Sequence, residues 1–484
     1  MMTMTCRQAS WWSRIAVMGQ SRLHSRVLCK TSSSSAPHTP TCATSFGQRS
    51  MAAEAARSNS RLFSTLVDKS TIHGPMGSYQ DEYDASIQDP KSFWKTKADD
   101  LVWFQKPQRI LQERKQSSSN VPSLYDWFPD GVLNTCYNCL DVHIVQGRGD
   151  QVALIYDSPM TGQTTPQTFT YQELHHEVVT LAKVLQERLN VQMGDRVILY
   201  MPMIPQAVVA MLACTRIGAI HSVVFGGFAS KELATRITDC QPKLILSTSV
   251  GIEPSGAGGD GKQPSCRVVE YKPLLERALE LANHNVQHCV IVQRPDIPIL
   301  RNSNVSSVCT LKSPMDLDYQ HLMDEYYQMV TPVSSKDSTV THVPSNHPHY
   351  ILYTSGTTGT PKGVVRDTGG YAVALKYTMN MFYDTKPGDV IFTASDIGWV
   401  VGHSYTYVST LIQMYCPSSA ILSDVSSLYF VLFVQCLWST FERMYHRFIR
   451  RKACWYPRCG CVLESDTGAF GQNFVCGANS VSCY

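Results

Sequence analysis

Between Tyr171 and Phe225 the apolar residues switch repeatedly between helical and strand spacing, and this alternation constrains the fold more than any other feature. Leu174, Val178, Leu181 and Leu185 recur three and four apart, so residues 171–189 read as an amphipathic helix. Gly194-Asp195 reads as a turn, and Arg196-Val197-Ile198-Leu199-Tyr200 as a buried strand. A helix carrying Val208, Val209, Met211 and Leu212 follows, then a strand from Ile220 to Phe225. Strand–helix–strand alternation predicts an α/β fold with a doubly wound parallel sheet. With 484 residues, 43% of them hydrophobic, the chain can fill such a core. A formal net charge of +3 argues against a nucleic-acid partner bound through an overall basic surface. No uncharged apolar run reaches the roughly 18 residues of a transmembrane helix. The 17 cysteines are dispersed through a long chain, which favours reduced thiols over a disulfide scaffold.

The ends differ from the middle. Residues 1–53 contain no Asp or Glu, and set Arg14, Arg22, Arg26 and Lys30 beside an apolar row of Ile15, Leu23 and Val27. An acid-free, Arg- and Ser-rich amphipathic start reads as an organellar transit peptide. Arg61-Leu62-Phe63-Ser64 looks like a matrix-protease cleavage site, so 1–63 is expected to be removed in the mitochondrial matrix. From Tyr79 the chain reads as globular. Asp89-Pro90, Phe93, Trp94 and Leu101-Val102-Trp103-Phe104 suggest a helix with an aromatic face, and residues 253–265 an exposed Gly/Ser/Pro loop. After about Leu411 the pattern breaks. Seven of the 17 cysteines lie in 416–484, and Arg447, Arg450, Arg451 and Lys452 cluster there. The apolar run Leu428 to Trp438 is too short to cross a bilayer.

One loop carries chemistry. The strand-like Tyr350-Ile351-Leu352 runs into Tyr353-Thr354-Ser355-Gly356-Thr357-Thr358-Gly359-Thr360-Pro361-Lys362-Gly363. Glycines allow tight backbone turns that present N–H groups to phosphate oxygens. The hydroxyls add donors, and Lys362 adds a cation. Pro361 and Gly363 stand where a Walker A loop needs Gly and Ser/Thr, so this is a different phosphate loop. The competing reading is a flexible surface loop with Lys362 as a solvated charge.

This string resembles the phosphate loop of the adenylate-forming enzymes, which include the acyl-CoA synthetases. Ser86-Ile87-Gln88-Asp89-Pro90-Lys91-Ser92-Phe93-Trp94 and Leu133-Asn134-Thr135-Cys136-Tyr137-Asn138-Cys139-Leu140-Asp141 are similar to the N-terminal signature of the short-chain acyl-CoA synthetases. His221-Ser222-Val223-Val224-Phe225-Gly226-Gly227-Phe228 and Asp396-Ile397-Gly398-Trp399-Val400-Val401-Gly402-His403-Ser404-Tyr405 also match. The resemblance covers about residues 79–411. It implies a transit peptide at 1–63, an acetyl-CoA synthetase-like N-terminal region at 79–145, a partial adenylation domain at 146–411 and a divergent, poorly ordered tail at 412–484.

The resemblance also implies the reaction. A short carboxylate, propionate or acetate, attacks ATP to give acyl-adenylate and pyrophosphate, and coenzyme A then displaces AMP. Thr354 and Lys362 would be the catalytic pair. Thr354, Ser355, Gly356, Thr357, Thr358, Gly359 and Lys362 would hold the phosphates. Trp399, Val400 and Val401 would line the acyl pocket, and Gly226, Gly227 and Arg267 would lie near coenzyme A. Acetate-specific relatives tend to carry Thr where Val401 stands. A methyl in place of a hydroxyl favours propionate without excluding acetate, since one methylene is worth only about 1–3 kcal/mol; alternatively Val401 merely packs the core. ATP, coenzyme A and Mg²⁺ are the expected small-molecule partners, with no metal ligand assigned in this chain.

Other signals read as structural. Cys136-x-x-Cys139 lacks a second ligand pair, and His446, Cys454, Cys459 and Cys461 fit no metal spacing. His403 frames the pocket rather than acting as a base, and His175-His176 reads as helix surface. Beyond Tyr405 the family's Tyr-Gly-x-Thr-Glu and Thr-Gly-Asp motifs, the hinge and the small C-terminal domain are not found. Asp466-Thr467-Gly468-Ala469-Phe470 faintly resembles a later family segment. Residues 412–463 are therefore expected to stem from a retained intron or gene-model error, and this chain to be unstable or inactive. A different reading is a non-catalytic isoform that binds a partner such as the full-length enzyme.

Overall fold

The computed structural model describes residues 79–114, 125–158, 166–254, 266–295, 297, 300, 305–330, 340–354, 360–385 and 389–413, with strand backbone at 429–433, 454–455, 462–463 and 472–476. The expected transit peptide, His446, Cys459, Cys461 and residues 255–265 lie outside these residues, whereas residues 253 and 254, expected in the exposed loop 253–265, end the strand Val250–Pro254. Two units separate at Phe93/Trp94. In the first, helix α1 (Tyr79–Gln88) leaves Tyr79, Tyr83 and Ile87 exposed. Helix α2 (Pro90–Ala98) starts on Pro90, and the Asp89 carboxylate caps it by accepting from the Ser92 N–H at 3.1 Å.

The aromatic helix expected to run on to Phe104 stops at Ala98. Past a turn at residues 99–101, the Asn138 side chain holds the following backbone, accepting from the Val102 N–H at 2.8 Å and donating to the Val102 carbonyl at 2.9 Å. It thereby imitates a strand partner, and the Phe104 N–H then bonds the Val132 carbonyl at 2.8 Å.

In the second unit an antiparallel pair, β1 (Val152–Asp157) and β2 (Gln167–Thr170), leads into α3 (Tyr171–Lys183). Thr170 Oγ1 accepts from the Glu173 N–H at 3.1 Å, and the Thr170 N–H donates to the Glu173 carboxylate at 2.7 Å. Such a capping box is worth about 1 kcal/mol. The helix expected through residue 189 holds, but its last turn, Val184–Arg188, is wound as π-helix.

The chain then builds β3 (Arg196–Tyr200), α4 (Pro205–Arg216), β4 (Ile220–Val223), α5 (Ser230–Cys240), β5 (Leu244–Thr248), the ribbon β6 (Val250–Pro254) and β7 (Cys266–Glu270), α6 (Tyr271–Leu281), β8 (His288–Val292), β9 (Asp316–Asp318) and α7 (Tyr319–Tyr327). After it come β10 (Pro348–Thr354), β11 (Lys362–Asp367) and α8 (Thr368–Met381). Seven strands form one sheet in the order β9-β8-β5-β3-β4-β10-β11. All its pairs are parallel except β10 with β11, an antiparallel hairpin at the edge. The expected strand at 220–225 ends at Val223, and Val224 and Phe225 lead into a turn.

A second sheet has the order β14-β12-β13-β1-β2, with β12 (Val390–Ala394), β13 (Tyr429–Phe433) and β14 (Gln472–Cys476). Its pairs are parallel apart from β1 with β2. Thus part of the apolar run 428–438 is a strand, and β13 and β14 flank β12.

Helix α4 is apolar all round and buried along almost its whole length, so it lies inside the core, packed on α3. Helices α5 and α6 pack together in a separate apolar cluster. Chains leaving the carboxyl ends of β3 and β4 therefore diverge to opposite faces. That divergence is where open α/β sheets bind ligands.

The N-terminal signature is a buried polar node. Arg216 donates to both Asp141 oxygens, at 2.8 and 3.0 Å, and His175 Nε2 lies 3.1 Å from the same carboxylate. Burial opposes the charge of Asp141, but its hydrogen bonds from His175 and Arg216 bring its carboxyl down to about 2. The surface reading of His175 is therefore corrected. It faces inward because a buried carboxylate needs a second donor. His176 is half-buried, with its ring against Tyr327. Cys136 and Cys139 are buried free thiols, near Arg216 and the Val408 carbonyl respectively.

Candidate active site

The phosphate-loop string sits on the β10–β11 hairpin. Thr354 and Lys362 are opposite one another in register, both exposed, at the mouth of the intervening loop. Ser355, Gly356, Thr357, Thr358 and Gly359 lie outside the described residues. The base of the hairpin is braced, since Tyr353 donates its hydroxyl to Asp239 Oδ2 at 2.6 Å. The Arg236 guanidinium lies 4.4 Å from the Phe228 ring and 5.6 Å from the Tyr353 ring.

Gly226 and Gly227 form the turn after β4. Strand β4 neighbours β10 in parallel, with Tyr350 opposite His221, so this turn and Thr354 leave the sheet at the same end.

The segment that carries Trp399, Val400 and Val401, the residues expected to line an acyl pocket, is seated in the crevice where the chain diverges. The Ile397 N–H points at Met203 Sδ, 3.3 Å away, in the loop after β3. Gly398 lies against the loop after β4, where a Cβ would come 3.0 Å from the Phe225 nitrogen. The Trp399 and Phe225 rings are 6.2 Å apart. The turn closes on itself as Asp396 Oδ1 accepts from the Gly398 N–H at 2.7 Å. Withdrawal from solvent pushes that carboxyl up to about 6. Gly402 fits flush on the Asp396 carbonyl, where a Cβ would sit 2.0 Å from the oxygen.

Trp399 and Val400, consecutive apolar residues, are 42% and 49% exposed. Val401 turns the other way and packs against Met379 and Ile391 with Tyr383 and Tyr405. Arg267 stands in the ribbon that follows β5, in register with Glu253. His403 is fully buried beneath the wall.

Thus Thr354, Lys362, Gly226 and Gly227 lie at one end of the sheet, and Trp399 stands against Phe225 just ahead of that turn, with Val401 directed into the adjoining core. Met203 and Asp396 also shape the crevice. Met203 gave no sign in the sequence, because only the strand order brings residue 203 to residue 397. Among the described residues, no group of three His, Cys, Asp or Glu side chains is arranged to hold a metal ion.

The chain matches the family profile of the AMP-binding enzymes over residues 142–425 and that of the acetyl-coenzyme A synthetase N-terminus over residues 79–139. It is 46% identical over 337 residues to a rat protein named acyl-CoA synthetase short-chain family member 3, mitochondrial, covering 70% of this chain and 44% of the rat protein. The human protein of the same name is 44% identical over 340 residues, with the same two shares. An acetyl-coenzyme A synthetase from Xanthobacter autotrophicus is 38% identical over 327 residues, covering 68% of this chain and 45% of that protein. The chain therefore spans a little under half the length of these relatives. Among solved structures, acetoacetyl-CoA synthetase from Streptomyces lividans superposes with a TM-score of 0.56 at 22% identity, covering 74% of this chain and 47% of that one.

Proposed function

The chain belongs to the AMP-binding enzyme family, and from that premise we propose that it serves a short-chain fatty acid–CoA ligase reaction on propionate and acetate. The observation that carries this reading is the seating of residues 397–399 between Met203 and Phe225, by the sheet end where Thr354 and Lys362 also emerge. An apolar wall beside a phosphate-binding hairpin suits a small carboxylic acid that must meet a polyphosphate.

In the first step a carboxylate oxygen attacks the α-phosphorus of ATP and pyrophosphate leaves. In the second, the coenzyme A thiolate attacks the acyl carbon and AMP leaves. The carboxylate is already ionised, so no side chain needs to act as a base, and the residues supply position and charge. Lys362 and Thr354, with Ser355, Gly356, Thr357, Thr358 and Gly359, hold the phosphates and offset the charge that develops on them. Trp399 and Val400 cover the alkyl group and exclude water, and Val401 shapes the wall from behind. Gly226 and Gly227 leave room for the pantetheine arm, and Arg267 lies toward the nucleotide of coenzyme A. Among the described residues no group of three carboxylate, imidazole or thiol side chains is arranged to hold Mg²⁺, and no step is routed through it.

The mitochondrial names of the rat and human relatives support import directed by residues 1–63. The division into 79–145, 146–411 and 412–484 goes with that reading.

The test is propionate-dependent exchange of pyrophosphate into ATP by residues 64–484, alongside the same assay on Lys362→Ala. Exchange that needs both propionate and Lys362 supports the ligase. ATP binding without exchange favours the non-catalytic isoform.

A further inference from the structure

Three imidazoles and one phenol meet beneath the acyl wall. Tyr407 Oη lies 3.1 Å from His221 Nε2 and 3.4 Å from both His349 Nε2 and His403 Nε2. His221 Nε2 and His403 Nε2 are 3.1 Å apart. His221 comes from β4, ahead of the Gly226-Gly227 turn, and His349 from β10, ahead of Thr354. His403 and Tyr407 come from the helical stretch that follows the wall. One hydroxyl thus touches side chains from all three parts of the site.

Proton bookkeeping gives this cluster a direction. Burial holds His221 well below the usual imidazole range and takes His349 and His403 down to about 3, so all three are neutral near pH 7. His403 Nδ1 lies 3.2 Å from the Ile397 carbonyl, which can only accept. Nδ1 therefore carries the proton, and Nε2 of His403 is a lone pair. Two lone pairs do not face each other at this distance, so His221 Nε2–H donates to His403. Tyr407 is then free to donate to His349. The chain of donors ends on Ile397, the first residue of the wall.

We infer that His403, oriented by His221, is a positioning residue that fixes the Ile397 carbonyl and through it the placing of Trp399 and Val400. The inference rests on the acyl-wall reading above but is tested apart from it. The histidines act on the wall and not on the reacting atoms.

Two side chains separate this role from simple core packing. In His403→Asn the amide can replace the Nδ1 donor to Ile397 but not reach His221. In His403→Gln it can reach His221 but not serve Ile397. With the full chain labelled by 5-fluorotryptophan, the Trp399 ¹⁹F line is identified by Trp399→Phe. The expected result is that His403→Gln shifts or broadens that line, while His403→Asn leaves it near its wild-type position. His403→Gln should also weaken binding of propyl-AMP, an acyl-adenylate mimic, by about tenfold, what one well-placed hydrogen bond is worth. Equal effects of the two variants, or none from either, would overturn the inference. Should His403→Gln not fold, the tautomers are read from histidine ¹H–¹⁵N correlations of the wild-type chain. Nδ1–H at His403 and Nε2–H at His221 are expected. Nε2–H at His403 would overturn the inference, because Nδ1 could not then donate to Ile397. The ¹⁹F and tautomer readouts need no ligand, so they stand or fall independently of whether propyl-AMP binds.

Discussion

Arg216 grips Asp141 through two hydrogen bonds of 2.8 and 3.0 Å with neither side chain reaching solvent. The pair joins the N-terminal signature to the end of α4, and so to the middle of the large sheet. Asp141→Asn keeps the shape but leaves a buried guanidinium without its counter-charge. Breaking such a pair costs about 3–5 kcal/mol. Urea denaturation should show a loss of that size, and Asp141→Asn with Arg216→Met should recover much of it. A loss under about 1 kcal/mol would mean that water reaches the pair.

The buried imidazoles make stability depend on pH. His221 and His143 lie well below the ordinary histidine range, and His349 and His403 near 3, with burial the main cause in each. An unfolded histidine takes up its proton near pH 6.5, whereas the folded one does not until far lower. Stability is therefore full above about pH 6.5 and is lost as pH falls toward 3, by up to about 1.4 kcal/mol per unit for each imidazole. The urea midpoint should fall clearly between pH 7.5 and pH 5.5. Asp141 acts in the same direction but only at lower pH, as its carboxyl titrates near 2. A midpoint that stays level over that span would show the histidines to be solvated.

Gly402→Ala should distort the proposed acyl wall from within. Its Cβ would fall 2.0 Å from the Asp396 carbonyl oxygen, and backbone cannot swing away as a side chain does. Overpacking of this kind costs about 1–3 kcal/mol or more. A drop in thermal midpoint is expected, together with a displaced Trp399 signal. An unchanged midpoint would contradict the close approach.

Lys362→Ala should weaken binding of ATP and of inorganic triphosphate alike. A charge-assisted hydrogen bond to phosphate is worth about 1.5–3 kcal/mol, roughly ten- to hundredfold in affinity. Titration calorimetry at constant ionic strength measures it. Equal affinity in the variant would return Lys362 to the status of a solvated surface charge.

The large sheet was legible because its helices and strands carry clean periods, as Leu174–Leu185 and Arg196–Tyr200 show. The glycines and hydroxyls of residues 354–363 marked a loop, but the β10–β11 hairpin that carries it left no local sign. What escaped were decisions made across the fold. Asn138 pairs with the Val102 backbone from 36 residues away, beyond the helix end at Ala98, and Asp141 draws His175 inward from another turn of chain. His221, His349 and Tyr407 come together only because β4 and β10 are neighbours, an order no local pattern encodes. The split between exposed Val400 and inward Val401 depends on which side of a four-residue helix faces Met379 and Ile391.

The central claim is that an acyl wall and a phosphate site share one crevice, and binding of propyl-AMP against AMP tests it most directly. Burying three carbons at about 0.8 kcal/mol each should favour propyl-AMP by roughly 2 kcal/mol, about thirtyfold. Val400→Phe should erase that preference by filling the wall. Equal affinity for the two ligands, or a preference that survives Val400→Phe, would contradict the account.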